Sequence, residues 1–148
     1  ILFSTVLDTV QLGYVDEDEE TAQPTDRNYW ETQRGRPETV KLADMILELA
    51  REFAPSCAQT YNKYYIGFSV NGRPCNFALC RPQKSGMRLE ITVPQDEEID
   101  SRLEEAGIDV LDYEKRSGRY RLKLDGADIQ EHADMLKDLL RQAYHRRV

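Results

Sequence analysis

The chain has 148 residues, which fits one domain, because a chain of this length can bury roughly two thirds of the surface that it exposes when unfolded. Hydrophobic residues make up 40% and charged residues 32%, which excludes a disordered composition, and no apolar run approaches the length of about 20 residues that a transmembrane helix needs. The formal net charge is −7, and the first residues lack the charged start of a secretory signal. We therefore expect a cytoplasmic protein without a membrane partner.

Residues 1–28 are expected to connect this domain to another part of a longer protein. The chain begins with three apolar residues and no methionine, as if cut from a larger chain. Residues 1–14 fit a helix by the spacing of their apolar residues and a strand by their β-branched residues, so both remain open. Five consecutive acids at residues 16–20 indicate a solvated linker, and they lack the spacing of a calcium loop. We assign residues 1–28 to a connector or the trailing end of a preceding domain, and residues 29–148 to an α+β domain.

Three segments have the pattern of helices. Pro37 suits a first helical turn, and apolar residues then recur at helical spacing to about Phe53. A short helix is expected between the acids at residues 96–98 and Gly107, and a long one from Asp125 to about Tyr144. Trp30, just before the first helix, could offer a stacking surface, but an anchor that packs the incoming chain onto the core is the better interpretation.

Residues 61–94 have the pattern of a three-stranded antiparallel meander. Apolar and polar residues alternate, and Asn71-Gly72 is the pair that a tight type I′ hairpin turn demands. Residues 108–114 and 119–124 predict a second hairpin. The sequence thus predicts an α+β fold, in which an antiparallel sheet of about five strands carries the Pro37 and Asp125 helices on one face.

No catalytic or metal-binding set of residues is evident. Cys57, Cys75 and Cys80 are an odd number without C-x-x-C spacing, which favours reduced, partly buried thiols. The two histidines lie on the last predicted helix without a nucleophile nearby, and the one Glu-Lys pair, at residues 114–115, lies against a turn. We expect no catalytic residues, no metal and no cofactor in this fragment, although an enzymatic role of the whole protein stays open.

Positive charge is concentrated on the predicted strands. In residues 61–92 five cations accompany Glu90 alone, and in residues 113–123 five accompany Glu114 alone. Strand alternation predicts one shared cationic face, built from Arg73, Arg81, Arg88, Arg119, Arg121 and Lys123. Such a face could bind phosphates and stack bases on Tyr61, Tyr65 or Tyr113. The alternative is a solvated sheet face whose cations are partnered by the acidic segments.

Short motifs of the strands resemble a known family. They are Tyr61-Asn62-Lys63-Tyr64-Tyr65-Ile66-Gly67, Asn76-Phe77, Arg81-Pro82-Gln83-Lys84, Met87-Arg88-Leu89-Glu90 and Gly118-Arg119-Tyr120-Arg121-Leu122, together with the closing amphipathic helix. The family consists of uncharacterised domains of bacterial and archaeal proteins, sometimes labelled predicted transport proteins, that often follow a restriction-endonuclease-like nuclease domain. The resemblance extends over residues 29–144 and has no catalytic motif. It implies an accessory domain beside a nuclease domain of the same parent chain.

Two functions are expected from these observations. The first is a nucleic-acid-binding accessory domain of a nuclease-like or defence-related protein, non-catalytic by itself, that binds DNA or RNA. Its predicted contact residues are Arg73, Arg81, Lys84, Arg88, Arg119, Arg121, Lys123 and Tyr65. The second is a protein–protein interaction or dimerisation module of the same parent protein, which would use the exposed edge of the meander for strand pairing.

Overall fold

Seven strands form one antiparallel sheet in the computed structural model, which describes residues 24–147. They are β1 Cys57–Tyr61, β2 Ile66–Val70, β3 Arg73–Pro74, β4 Ala78–Gln83, β5 Gly86–Thr92, β6 Asp109–Val110 and β7 Arg119–Leu124. The strand order is β1-β2-β4-β5-β7-β6, and β3 pairs with β2 outside this path. The predicted α+β class is confirmed, with more strands than expected.

The helices begin and end where the local sequence favours it. They are α1 Arg27–Tyr29, a π-helical turn Trp30–Arg34, α2 Pro37–Arg51, α3 Glu97–Ala106, α4 Gly126–Glu131 and α5 Ala133–Arg147. Asp96 caps α3 by accepting from the N–H of Glu98, and Gly107 ends it with a φ of 73°, as predicted. The single helix expected after Asp125 is interrupted at His132, whose φ of −117° and ψ of 31° lie outside the helical region, so it forms α4 and α5.

The first described residues already belong to the fold. Residues 1–23 of the predicted connector, including the acids at 16–20, lie outside the described part of the chain. Pro24 forms a β-bridge with Asn62, and Arg27 donates to both carboxylate oxygens of Asp44 on α2 at 2.9 and 2.6 Å. Trp30 is 2% exposed and its indole N–H donates to the Asn62 carbonyl at 2.7 Å, so its role as an anchor is confirmed.

The helices cover one face of the sheet. The buried side chains of α2 to α5 form a single cluster with the strand residues that point toward them, which are Ile66, Phe68, Ala78, Cys80, Met87, Leu89, Ile91, Tyr120, Leu122 and Leu124. We call this the helix side of the sheet. The expected packing of the Pro37 and Asp125 helices on one face is confirmed. None of the helices in residues 24–147 is long and apolar enough to span a bilayer.

The predicted meander contains an irregularity that the alternation of residues did not indicate. Asn71 and Gly72 form the expected turn, with φ of 55° and 80°. The return strand, however, is broken between β3 and β4, where the carbonyl of Phe68 accepts from Cys75 and its N–H donates to Asn76 Oδ1. Between the pairs Ser69–Pro74 and Ile66–Cys80, five residues of the return strand lie opposite two of β2. This bulge has three extra residues, and because three is an odd number the alternation of side chains is shifted beyond it.

The meander has no outer edge of its own. β1, which the polar sequence at residues 57–61 did not predict, pairs along the whole of β2. On the other side, β7 pairs with β5 over six residues. The interaction hypothesis expected a partner strand to pair with an exposed edge of the meander. That expectation is wrong, because β1 and β7 of the same chain occupy both edges.

Candidate nucleic-acid interface

Five cations project from neighbouring strands on the side opposite the helices. Residues that face each other in a β-ladder point to the same side of the sheet. The register pairs Arg81 with Arg88, Arg88 with Lys123, Glu90 with Arg121, and Thr92 with Arg119. We call this surface the cationic face and define it by Arg81, Arg88, Arg119, Arg121 and Lys123. The predicted shared face is confirmed for these five residues.

Two of the predicted contact residues lie elsewhere. Arg73 opposes Val70, which opposes Cys57 of the core cluster, so Arg73 points to the helix side at the tip of the first hairpin. Its predicted place on the cationic face is wrong. The bulge between β3 and β4 shifts the alternation of side chains, so Arg73 and Arg81 point to opposite sides of the sheet. Lys84 lies in the β4–β5 turn, where its ammonium donates to the Gly35 carbonyl at 3.3 Å, next to Pro82 of the helix side.

A single carboxylate lies in the middle of the cationic face. The Glu90 side chain is 5% exposed and lies 2.8 Å from Nε of Arg81, 3.0 Å from Nε of Arg88 and 3.7 Å from an Nη of Arg119. A carboxylate buried to this extent needs such partners, since its desolvation costs several kcal/mol. Glu90 therefore fixes the positions of arginines on three adjacent strands. Counting charges along the sequence had shown Glu90 only as a lone acid, and cross-strand register is the signal that reveals its central place.

Tyr65 supports an arginine instead of presenting a free ring. It is 4% exposed, and the guanidinium of Arg81 lies over its ring, 5.8 Å from the centroid. Beneath it, a Cβ on Gly67 would come within 3.0 Å of the Tyr65 ring, so glycine allows the ring to lie close to the sheet. A base could stack on this ring only after the Arg81 guanidinium has moved.

The other tyrosines considered for stacking belong to the helix side. Tyr61 opposes Ile66, and its hydroxyl donates to Gln59 at 2.6 Å. Tyr113 packs edge-on against Tyr120 and donates to the Val93 carbonyl at 2.7 Å. Aromatic stacking is therefore not a property that these rings give to the cationic face.

The cationic face contains a depression beside Arg88 of β5 and Lys123 of β7. It has a volume of about 180 Å³ and is lined by Gln83, Arg88, Leu111 and Lys123. Beside it, Nε and Nη2 of Arg121 donate to the Asp112 carbonyl at 2.9 and 2.8 Å. The acceptor is the backbone carbonyl of Asp112 and not its carboxylate. These hydrogen bonds therefore orient the Arg121 guanidinium without neutralising its positive charge. The arrangement suits an anion next to Arg88 and Lys123.

No second chemistry competes with this surface in the described residues. His132 Nε2 lies 3.3 Å from the carboxylate of its neighbour Glu131. Within residues 24–147 no three His, Cys, Asp or Glu side chains converge as metal ligands would. The three cysteines are unpaired and buried.

The chain was compared with known proteins in three ways. No protein-family model, no curated protein and no solved structure matches it. The cationic face must therefore be interpreted from its own geometry.

Proposed function

We propose that this chain is a nucleic-acid-binding accessory domain, non-catalytic by itself, whose cationic face contacts the phosphate backbone of DNA or RNA. The observation that carries the proposal is the set of five cations on β4, β5 and β7 with one buried carboxylate among them. The buried Glu90 gives a structural reason to gather Arg81, Arg88 and Arg119. Arg121 and Lys123 lie on the same face, and exposed charges of this kind contribute little to folding, typically under about 1 kcal/mol, so stability gives no reason for these two.

The geometry favours phosphate as the ligand. Arginine presents several N–H donors in a rigid fork that matches the oxygens of a phosphate, and its charge persists at all physiological pH values. Contacts of Arg81 and Arg88 with Glu90 hold both guanidinium groups in place before a ligand arrives. The depression beside Arg88 and Lys123 would take one phosphate group, and Arg121 lies along the same strand pair.

The wider setting is part of the same proposal. The resemblance to domains that follow a nuclease domain suggests a nuclease-like or defence-related parent protein of bacterial or archaeal origin. Its nuclease domain, in the same parent chain, would be the natural partner. Three unpaired thiols suit a reducing compartment such as the cytoplasm.

The test is fluorescence anisotropy with labelled single-stranded and duplex oligonucleotides at increasing salt. If three or four cations each neutralise one phosphate, the logarithm of the association constant should fall with the logarithm of salt concentration with a slope of about −3 to −4. The double variant Arg88→Gln/Lys123→Gln should weaken binding by about tenfold or more at about 100 mM salt and make the slope shallower by about 2.

The matched control is Arg73→Gln/Lys84→Gln, which removes the same charge from positions away from the cationic face. We expect about a twofold loss or less from it. Equal losses from the two double variants would show that net charge, and not this face, governs the affinity. Absence of binding even at about 25 mM salt would refute the proposal.

The second candidate is an interaction or dimerisation module. The observation that favours it is the outer strand β6, which pairs only with β7 among the described strands. Its last residue, Val110, and the next residue, Leu111, are exposed and apolar. Light scattering over a wide concentration range is its test. A dimer that Val110→Lys abolishes would support it, and a monomer at every concentration would exclude self-association.

A further inference from the structure

The outer strand β6 directs backbone groups of Val110 away from the sheet. The Leu111 N–H donates to the Arg121 carbonyl of β7 at 2.9 Å, so the backbone of Leu111 faces β7. Successive residues of an antiparallel strand direct their N–H and C=O groups to opposite edges. The N–H and C=O of Val110 therefore point to the other edge of β6, where none of the described strands pairs. Val110 is 39% exposed, so this edge is accessible.

A groove lies beside this edge on the helix side of the sheet. Its volume is about 370 Å³, and it is lined by Asp100, Leu103, Glu104, Ile108 and Val110. Val110 opposes Leu122 of the core cluster, which places the Val110 side chain on the helix side. The groove thus combines an apolar lining from three residues with two carboxylates from α3.

The charge around the groove is negative. Residues 96–112 contain eight acids and one cation, Arg102, whose guanidinium lies 3.0 Å from the Asp138 carboxylate of α5. Asp100 and Glu104 are four positions apart, a spacing at which like charges destabilise a helix. Glu104 also lies in the last turn of α3, which has no basic residue and where the helix dipole favours cations. A cationic partner would offset this unfavourable placement of Glu104.

The two carboxylates suit a partner in extended conformation. The Tyr120 hydroxyl donates to Oδ1 of Asp100 at 2.8 Å, which positions this exposed carboxylate at the groove. Side chains four positions apart on a helix have Cβ atoms about 5–6 Å apart. Alternate residues of a strand point to the same side and are about 6.6 Å apart. Two basic side chains on one face of an extended segment can therefore reach Asp100 and Glu104 together.

We propose that β6 binds an extended, basic segment of another protein, which adds a strand to the sheet. The backbone of this segment pairs with Val110, and on one of its faces an apolar side chain enters the groove between basic side chains that meet Asp100 and Glu104. Pairing with β6 of a second copy is less favourable, because both α3 helices, with their acids, would lie on the same side of the joint sheet. The proposal rests on the interaction candidate and does not depend on nucleic-acid binding.

Amide hydrogen exchange measured by NMR tests the strand addition. The probe is the peptide Ser-Lys-Thr-Val-Thr-Lys-Ser, whose two Lys side chains and one Val side chain share a face when it is extended. Saturating peptide should slow exchange of the Val110 amide by about tenfold or more, because this N–H gains an acceptor. The Leu111 amide, which already donates to Arg121, is the internal reference and should change little. Unchanged exchange at Val110 with about 1 mM peptide would overturn the proposal.

Charge reversal in the groove tests the specificity of binding. By isothermal titration calorimetry, Glu104→Lys should weaken binding of the peptide by about fivefold or more. This variant places a cation in the last turn of α3, where it favours the helix, so unfolding would not explain the loss. Glu105→Lys makes the same charge change at an exposed neighbour that does not line the groove, and it should keep the affinity within about twofold. Equal losses would mean that net charge attracts the peptide and would overturn the proposal.

Three further results separate this proposal from the functions above. A dimer that Val110→Lys abolishes, with no effect of the peptide on Val110 exchange, would make a second copy the partner and refute the proposal while the interaction candidate stands. A monomer that does not bind the peptide would refute the proposal and self-association together. The variant Arg88→Gln/Lys123→Gln should bind the peptide as well as the unchanged protein does, whatever its affinity for nucleic acid.

Discussion

The carboxylate of Glu90 lies 2.8 Å from Nε of Arg81, although the two residues belong to different strands and do not oppose each other directly. An Nη of the same arginine donates to the Tyr64 carbonyl at 2.9 Å, and its guanidinium lies over the Tyr65 ring. One side chain thus connects β5, through β4, to the turn before β2. Lysine ends in a single ammonium nitrogen and lacks the planar fork that makes all these contacts at once.

Glu90→Gln should destabilise the domain by about 2–3 kcal/mol, because it removes the negative charge that three arginines contact and leaves their buried parts uncompensated. Urea unfolding followed by circular dichroism measures the change in the free energy of unfolding. Glu105→Gln, at an exposed position of α3, is the control and should change it by less than about 0.5 kcal/mol. A stabilised Glu90→Gln variant would show that repulsion among the arginines is not significant.

Gly67→Ala should cost about 1–3 kcal/mol through overpacking. The added Cβ would lie 2.4 Å from Asn76 Oδ1, which accepts the Phe68 N–H in the bulge, and 3.0 Å from the Tyr65 ring. Gly126→Ala is the matched control, since its Cβ would meet only Leu42 at an ordinary 3.6 Å and alanine favours the helix. Thermal unfolding of the two variants distinguishes a steric effect at position 67 from a general effect of replacing glycine. Equal losses of stability in the two variants would indicate the general effect.

Asp138→Asn should destabilise the domain by roughly 1 kcal/mol at pH 7, and this difference should vanish in acid. Burial alone would raise the pKa of Asp138, but hydrogen bonds from Arg102, Arg141 and Gln142 lower its pKa overall. A lowered folded-state pKa gives stability that is present above the unfolded value of about 3.9 and is lost as the pH falls through the folded value.

Urea unfolding between pH 7 and pH 3 measures this dependence. The difference between Asp138→Asn and the unchanged protein should be constant down to about pH 5 and shrink below about pH 4. A difference as large at pH 3 as at pH 7 would mean that the amide loses packing or hydrogen bonds that do not depend on charge.

The three thiols should react slowly in the folded protein. Burial raises the pKa of Cys57 to about 11 and also raises the pKa values of Cys75 and Cys80, so little thiolate is present at pH 8. A chromogenic disulfide reagent should therefore react on the order of a hundredfold more slowly than in denaturant. Rapid reaction of one thiol in the native state would reveal local opening near that residue.

The fold class could be predicted because the residues that favour turns and helix ends lie where the spacing of apolar residues also places the ends of helices and strands. Asn71-Gly72 and Gly107 adopt the positive φ that their residue types favour, and Pro37 begins its helix. β1 was missed because its residues, Cys-Ala-Gln-Thr-Tyr, alternate weakly, and it is held by pairing with β2. Tertiary pairing of this kind leaves little trace in the local sequence.

The cationic face was predicted in part for a similar reason. Alternation identified Arg88, Arg121 and Lys123 correctly, because β5 and β7 are regular over their whole length. Arg73 was assigned to the wrong side, since the three extra residues of the bulge reverse every later assignment, and the side chain of Asn76 that holds the bulge gives no periodic signal. The central place of Glu90 depends on register between strands that a single sequence does not specify.

The position of β7 between β5 and β6 governs how this chain can fold during its synthesis. β5 leaves the ribosome with one edge unpaired, and β6, which emerges next, cannot fill that place because its partner is β7. The apolar side of the meander also waits for α4 and α5, which are made after β7. A nascent chain that has reached β6 therefore exposes both an open strand edge and an uncovered apolar surface, the two features that promote aggregation. We expect holdase chaperones to bind this intermediate and to release it only once α5 has been translated.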